Sequence, residues 1–361
     1  MISRLPFSLL PGLLFLLAPA AANAQNVIAR LEKASDSEIQ ALLNRFPAAD
    51  ANADGKLTRE EAIAYAKTTL SGKGGTSASD GSHTAPAPSK TDVAYGPHDR
   101  NVLDFWKANG EGPRPLVIFI HGGGFTGGDK SKWRGSPELS RLLENGVSCA
   151  AINYRFRKDA PIQDILHDAA RAVQFLRTRA GEWNLDKSRF AGWGGSAGAG
   201  TSLWLATRDD LADAKAEDPV LRESSRLQAA VLVATQATYD LTRWERFLGP
   251  ANPAWWNSPN EVAEFYHLKE QSDLAKPEAK SILRECDMLA WISKEDAPVF
   301  VGNRGPEGPS RTRDHYLHHP EHARQIEEAC KAAGSRCVLA GEGNSDPVAF
   351  LLATFRGAEA E

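Results

Sequence analysis

After residue 90 the apolar positions fall into short unbroken runs, separated by longer stretches of helical period. Pro115 to Ile120 is a continuous apolar run, as a strand buried on both faces requires. Val147 to Asn153, Ser188 to Trp193, Leu227 to Ala234, Pro298 to Gly302 and Cys337 to Ala340 read as further strands. Between them Ile162, Ile165, Leu166, Ala169, Ala172, Val173 and Leu176 recur at helical spacing, which predicts an amphipathic helix over Pro161 to Ala180. Ser136 to Asn145, Ala197 to Thr207, His319 to Ala333 and Pro347 to Phe355 supply other helices. Such alternation predicts the α/β class, a mostly parallel sheet with helices on both faces. The stretch 241–292 breaks the rhythm. It carries Trp244, Trp255, Trp256 and Trp291, which fit either a cover over the strand ends or buried structural tryptophans.

The pattern differs upstream. Arg4, an apolar stretch from Leu9 to Leu17 and the small-x-small site Ala22-Asn23-Ala24 read as a signal peptide over residues 1–24. The mature chain is then expected to begin at Gln25, without a transmembrane segment, in a secreted or periplasmic location. Residues 25–70 form a small helical module, and 71–90, rich in Gly, Ser, Ala and Pro, a flexible linker. The large domain is 91–361. The formal net charge of −4 and the absence of a long basic run argue against nucleic-acid binding. An oxidising compartment permits disulfides among Cys149, Cys286, Cys330 and Cys337. Cys330 and Cys337, neighbours across a helix-to-strand turn, are the preferred pair.

The module carries a twelve-position loop of hard oxygen donors, Asp50 to Glu61. Asp50, Asn52 and Asp54 occupy positions 1, 3 and 5. Gly55 supplies the sharp turn, Lys56 a carbonyl at 7, Thr58 position 9 and Glu61 a bidentate carboxylate at 12. That spacing is an EF-hand loop for Ca²⁺ in a structural or docking role. A solvated acidic turn is the plainer alternative.

Two Gly-rich motifs sit at strand ends. Gly194-Gly195-Ser196-Ala197-Gly198 follows an apolar strand and opens a helix, the strand–turn–helix setting of a nucleophile elbow. Glycines 194 and 198 leave room for the tight turn, and Ser196 stands beside a helix N-terminus that favours developing negative charge. His121-Gly122-Gly123-Gly124-Phe125 directly follows the strand ending at Ile120, and its bare backbone can point N–H groups into a cavity. Together with the N–H of Ala197 these groups suit a tetrahedral oxyanion. A phosphate-cradling loop fits poorly, because no Lys-Ser or Lys-Thr pair follows. His121 reads as a brace for the loop.

With the helix carrying His167-Asp168-Ala169-Ala170-Arg171-Ala172-Val173, these motifs resemble the α/β-hydrolase esterases of the hormone-sensitive-lipase and bacterial feruloyl-esterase type. The resemblance covers 91–361 and is strongest from 115 to 205. It implies an α/β-hydrolase fold, Ser196 as nucleophile, and Gly123, Gly124 and Ala197 as oxyanion donors. It also implies an acid after the seventh strand and a histidine after the last. Here the sequence departs from the pattern: no histidine follows His322. His315, His318, His319 and His322 cluster instead after the seventh strand, and relatives with a histidine at a comparable helix start point to His318 as the base. A surface cluster, or a metal site built on His315 and His319, is the alternative. For the acid, Asp240 after the sixth strand is preferred over Glu307 and Asp314, because a displaced histidine would have the sixth-strand loop as its neighbour.

The expectation is an exported serine carboxylic-ester hydrolase working through an acyl-enzyme on a small ester or an acylated glycan, with no cofactor in catalysis. The second reading is a non-catalytic carbohydrate- or protein-binding protein of the same fold, favoured by the missing late histidine. A serine peptidase fits less well, because no propeller domain accompanies the fold.

Overall fold

The computed structural model describes residues 28, 31–42, 49, 56–70, 86–341 and 346–357. The predicted signal segment 1–24, residues 71–85 of the predicted linker, and the loop donors Asp50, Asn52 and Asp54 lie outside the described residues. The chain divides into two compact units, residues 1–82 and 83–361.

In the first unit, α1 (Asp36–Ala41) opens on a capping box, with Ser35 accepting from the Glu38 N–H and the Glu38 carboxylate bonded to Ser35. The second helix, α2 (Arg59–Leu70), starts where the Glu61 carboxylate accepts from the Thr58 N–H and hydroxyl at 3.0 and 2.7 Å. Leu31, Ile39, Leu42, Leu57 and Ala66 form a small apolar core.

The second unit is built on an eight-stranded sheet of order β1-β2-β4-β3-β5-β6-β7-β8. The strands are β1 (Lys90–Ala94), β2 (Val102–Trp106), β3 (Arg114–Ile120), β4 (Ser148–Ile152), β5 (Leu185–Gly195), β6 (Ala229–Val233), β7 (Val299–Gly302) and β8 (Cys337–Leu339). From β4 through β8 the pairing is parallel, and β2 alone runs against the rest, antiparallel to both β1 and β4. The principal helices are α3 (Pro137–Glu144), α4 (Ile162–Thr178), α5 (Ala197–Thr207), α6 (Arg313–His318), α7 (Pro320–Ala333) and α8 (Pro347–Phe355). Alternation along β3 shows that both faces are covered. Leu116, Ile118 and Ile120 join one core cluster, with α4 and α5, while Val117 and Phe119 join the other, with α3 and α8. This is the α/β-hydrolase fold that the strand–helix alternation and the resemblance lead one to expect.

Strands β1 and β2 are not among the runs predicted from the sequence. Asp104 interrupts the apolar run of β2, yet it is fully buried, its carboxylate paired with Lys130 at 2.7 Å and with Arg134. β1 is an edge strand of mostly exposed residues, as sheet edges tend to be, and it begins at Lys90 inside the stretch read as linker. The preferred disulfide is likewise not formed, and all four cysteines are thiols. A hydrogen bond with Cys337 is the main cause that lowers the Cys330 thiol below the usual range.

Candidate active site

Ser196 occupies the sharp bend between β5 and α5. Its φ of 50° is one that a residue with a side chain rarely adopts, and such strain costs about 1–3 kcal/mol unless the surroundings hold it. Here they do. The Ser196 N–H donates to the Val233 carbonyl at the end of β6 (2.9 Å), and its own carbonyl accepts from Ala199 and Gly200. The turn closes only because Gly194 and Gly198 lack side chains: a Cβ on Gly198 would lie 1.9 Å from the Ile120 carbonyl oxygen.

His318 is the last residue of α6. Pro320 ends that helix, because its ring disfavours a helical conformation for the preceding residue, and His319 is extended with ψ 140°. The imidazole is thereby left at a helix end, with Nε2 2.8 Å from the Ser196 Oγ. Its Nδ1 lies 3.1 Å from Oδ1 of Asp314, four residues earlier on the same helix. A carboxylate oxygen only accepts, so Nδ1 carries the proton and Nε2 is free to accept from the serine hydroxyl. Asn303, just after β7, steadies this end of α6. It exchanges hydrogen bonds with the Thr235 backbone and reaches the His318 and His319 carbonyls at 3.4 and 3.3 Å. Gln236 adds a bond to the Leu317 carbonyl.

The carboxylate expected at this histidine was Asp240, and here the structure corrects the sequence reading. The Asp240 carboxylate caps its own turn, accepting from the Thr242 N–H and hydroxyl at 3.1 and 2.5 Å. Burial raises its pKa. Glu307 is taken up by Arg324 at 2.9 and 2.8 Å. Asp314, the remaining candidate, is the one against His318. The neighbouring histidines have structural work. His315 and His319 bond to the Pro306 and Gly308 carbonyls, each at 2.9 Å. His322 is fully buried, accepts from the Ala237 N–H, and is pushed down to about 3 by burial. Among the described residues no cluster of three metal-ligating side chains occurs.

The glycine loop follows β3 and turns sharply, with Gly123 at φ +118°. Gly124 and Ala197 line one cavity with Ser196, whereas the Gly123 carbonyl is taken up by Thr126 and Gly127 within the loop. No acceptor among the described residues takes the N–H of Gly123, Gly124 or Ala197. His121 braces the loop from beneath. Arg100 can only donate to its Nε2, so Nδ1–H donates to the Gly122 carbonyl at 2.8 Å. Burial lowers this imidazole to about 4, so it stays neutral at pH 7. Stacking on Tyr154, with ring centroids 4.3 Å apart, fixes its plane.

The cavity beside Ser196 measures about 90 Å³ and is walled mainly by Phe125, Tyr239, Trp244, Trp256 and Phe265. Trp244 and Trp256, both in the irregular stretch 241–292, therefore line the same cavity as Ser196. A wider cleft of about 610 Å³ opens on the His318 side, with Arg304, Arg311, Thr312 and Asp314 in its wall.

Of the predicted calcium ligands only Lys56 and Glu61 are described, with Lys56 exposed and Glu61 bonded to Thr58. No helix of the described residues is long and apolar enough to cross a membrane.

Known proteins of similar sequence and fold agree with this architecture. The esterase LipQ of Mycobacterium tuberculosis is 30% identical over 64% of this chain and 52% of its own length. The probable carboxylic ester hydrolase LipM of the same organism is 32% identical over 44% of this chain and 37% of its own. The chain thus spans about half or less of these curated relatives. A truncated carbohydrate esterase from gut microbiota superposes with a TM-score of 0.59 at 15% identity, covering 76% of this chain and 98% of that one. The BD-FAE family model matches residues 103–305, more than half of the sequence and the whole stretch from β2 through the nucleophile elbow to the loop after β7. The chain belongs to the BD-FAE family.

Proposed function

We propose that the protein is a serine carboxylic-ester hydrolase. The observation that carries this reading is the 2.8 Å contact between the Ser196 Oγ and the His318 Nε2, beside the bare N–H groups of the glycine loop and Ala197. The ester names of the relatives support it. In the first step His318 takes the hydroxyl proton as Ser196 attacks the ester carbonyl. The N–H groups of Gly124 and Ala197, with Gly123, receive the oxyanion, and the N-terminus of α5 adds favourable potential. Asp314 orients the imidazole and stabilises its charged form. His318 then protonates the leaving alcohol, and water releases the acyl-enzyme by the same route. The narrow cavity suits a short acyl chain, and the wider cleft, with Arg304, Arg311 and Asp314 in its wall, suits the alcohol half, including the sugar of an acylated glycan.

The test is turnover of short-chain nitrophenyl esters by wild type, Ser196→Ala and His318→Ala. Both variants should fall by about 10⁴-fold or more in kcat/KM. A wild type inert across acyl lengths would favour the non-catalytic binding reading. The 2.8 Å contact weakens that alternative, since the missing late histidine has a stand-in.

We further propose export and a Ca²⁺ site in the first unit. Hard oxygens from Asp50, Asn52, Asp54, the Lys56 carbonyl and Glu61 form a donor set that suits this ion. Calorimetric titration of Ca²⁺ into the whole chain, and into Glu61→Gln, tests the site. Cell fractionation with N-terminal sequencing tests export.

A further inference from the structure

One wall of the cavity beside Ser196 gathers three charges from distant parts of the chain: Arg157, Glu261 and Arg313. Glu261 is buried and already served. Its Oε1 accepts from the Arg313 Nη2 at 2.6 Å, and its Oε2 from the Asn257 N–H at 2.6 Å. The Arg157 Nη1 stands off at 3.8 Å from Oε1, beyond hydrogen-bond reach. Two guanidinium groups against one carboxylate leave an excess of positive charge. Glu264, the other carboxylate that acts on Arg157, is exposed and bonded to Ser258.

Arg157 is itself only 17% exposed, and its Nε is buried with no hydrogen-bond partner. A buried donor left unmade is costly, more so on a charged group. The residue is nevertheless held firmly. Its N–H donates to the carbonyl of Phe125 in the glycine loop at 2.7 Å, its carbonyl is 2.6 Å from the His267 Nε2, and its guanidinium lies 5.2 Å from the Phe265 ring centre. A fixed cation with no hydrogen bond on its Nη groups among the described residues lines the same cavity as Ser196.

We propose that Arg157 makes this cavity select esters whose acyl half ends in a carboxylate, which the guanidinium receives through its Nη groups. The inference rests on Ser196 being the nucleophile. Arg suits the task because its planar fork matches a carboxylate, whereas an alkyl end would leave the excess positive charge of this wall unmet. Repulsion from Glu261 is offset by its bond to Arg313.

The experiment compares pairs that differ only in a terminal CH₃ or COO⁻. Monomethyl succinate is set against methyl butyrate, and monomethyl glutarate against methyl valerate, with released methanol measured. A third pair, 4-acetoxybutanoate against butyl acetate, puts the carboxylate on the alcohol half. Wild type should prefer one of the acyl-half carboxylates by about tenfold or more in kcat/KM. Arg157→Gln should bring that ratio to one or below, and Arg157→Lys should keep part of it. Taking the ratio within one preparation cancels any general loss of activity from imperfect folding. No preference in any pair, with the neutral esters turned over, would overturn the inference and leave Arg157 a structural ion-pair residue. Preference only in the third pair would overturn the assignment to the acyl half. Failure to hydrolyse any of the six esters would instead count against the hydrolase reading itself.

Discussion

His318 and Asp314 are four residues apart on one short helix, so the Nδ1 and Oδ1 atoms that meet at 3.1 Å are neighbours on a single helical face. The pairing owes little to tertiary structure, and Asp314 is 88% exposed. A solvated carboxylate orients an imidazole less firmly than a buried one.

Substitution should therefore separate the two aspartates. Asp314→Ala is expected to lower kcat/KM by about 10- to 100-fold, well short of the roughly 10⁴-fold typical of losing a buried triad acid. Asp240→Ala should act mainly on stability, because its carboxylate caps the turn that begins at Leu241. Steady-state kinetics with thermal melts on both variants check this. Equal kinetic losses would return Asp240 to the catalytic machinery.

Two buried imidazoles should weaken the fold as the pH falls below neutrality. His322 is pushed down to about 3 and His121 to about 4, in both cases chiefly by burial. The unfolded chain binds both protons near pH 6.5, and the folded chain does not. Their stabilising contribution is thus complete above pH 6.5 and is lost as pH falls toward those lower values. At pH 5 each should cost about 2 kcal/mol. Asp240 and Asp296, whose carboxyls burial raises, act in the opposite sense at lower pH. Urea midpoints at pH 7.5, 6 and 5 would measure the loss. His322→Gln should be weaker at neutral pH but show a flatter profile.

Cys330 and Cys337 should close under a mild disulfide oxidant, with the loss of two hydrogens seen by mass spectrometry of the linked peptide. The Cys330 thiol, lowered by its hydrogen bond with Cys337, supplies the thiolate that attacks. Burial pushes Cys149 and Cys286 up, so they should stay reduced. Closing so short a loop is worth about 2 kcal/mol in unfolded-state entropy. Linkage that instead involves Cys149 or Cys286 would contradict this account.

These features differ in how far the sequence discloses them. β3, β4 and the elbow are legible because strands buried on both faces need unbroken apolar runs and a tight turn needs glycine. β2 is not, because Asp104 looks like a loop residue until Lys130 and Arg134 are seen around it. His318 is singled out in the sequence only by resemblance to relatives with a histidine at a helix start, and the choice among Asp240, Glu307 and Asp314 turns on which carboxylates have other partners. Thr242 and Arg324 are seen to hold Asp240 and Glu307, which leaves Asp314 as the one against His318. The Arg157–Glu261–Arg313 wall has no local pattern at all, since its members are separated by about a hundred and by fifty residues of chain.

The elbow makes its own demand on side-chain volume, and it can be tested within one motif. A Cβ on Gly198 would sit 1.9 Å from the Ile120 oxygen, and one on Gly194 2.1 Å from the Gly198 carbonyl, so backbone must move in either case. A Cβ on Gly195 meets nothing within 4 Å. Gly198→Ala should therefore cost about 3 kcal/mol or more and displace β3 from α5, taking the glycine loop out of line with Ser196. Gly195→Ala should fold normally and keep ester turnover within a few-fold of wild type. The measurement is the denaturant midpoint of each variant beside its kcat/KM. If Gly198→Ala were as stable as Gly195→Ala, the close approach of β3 to α5 would not be what holds Ser196 against the glycine loop.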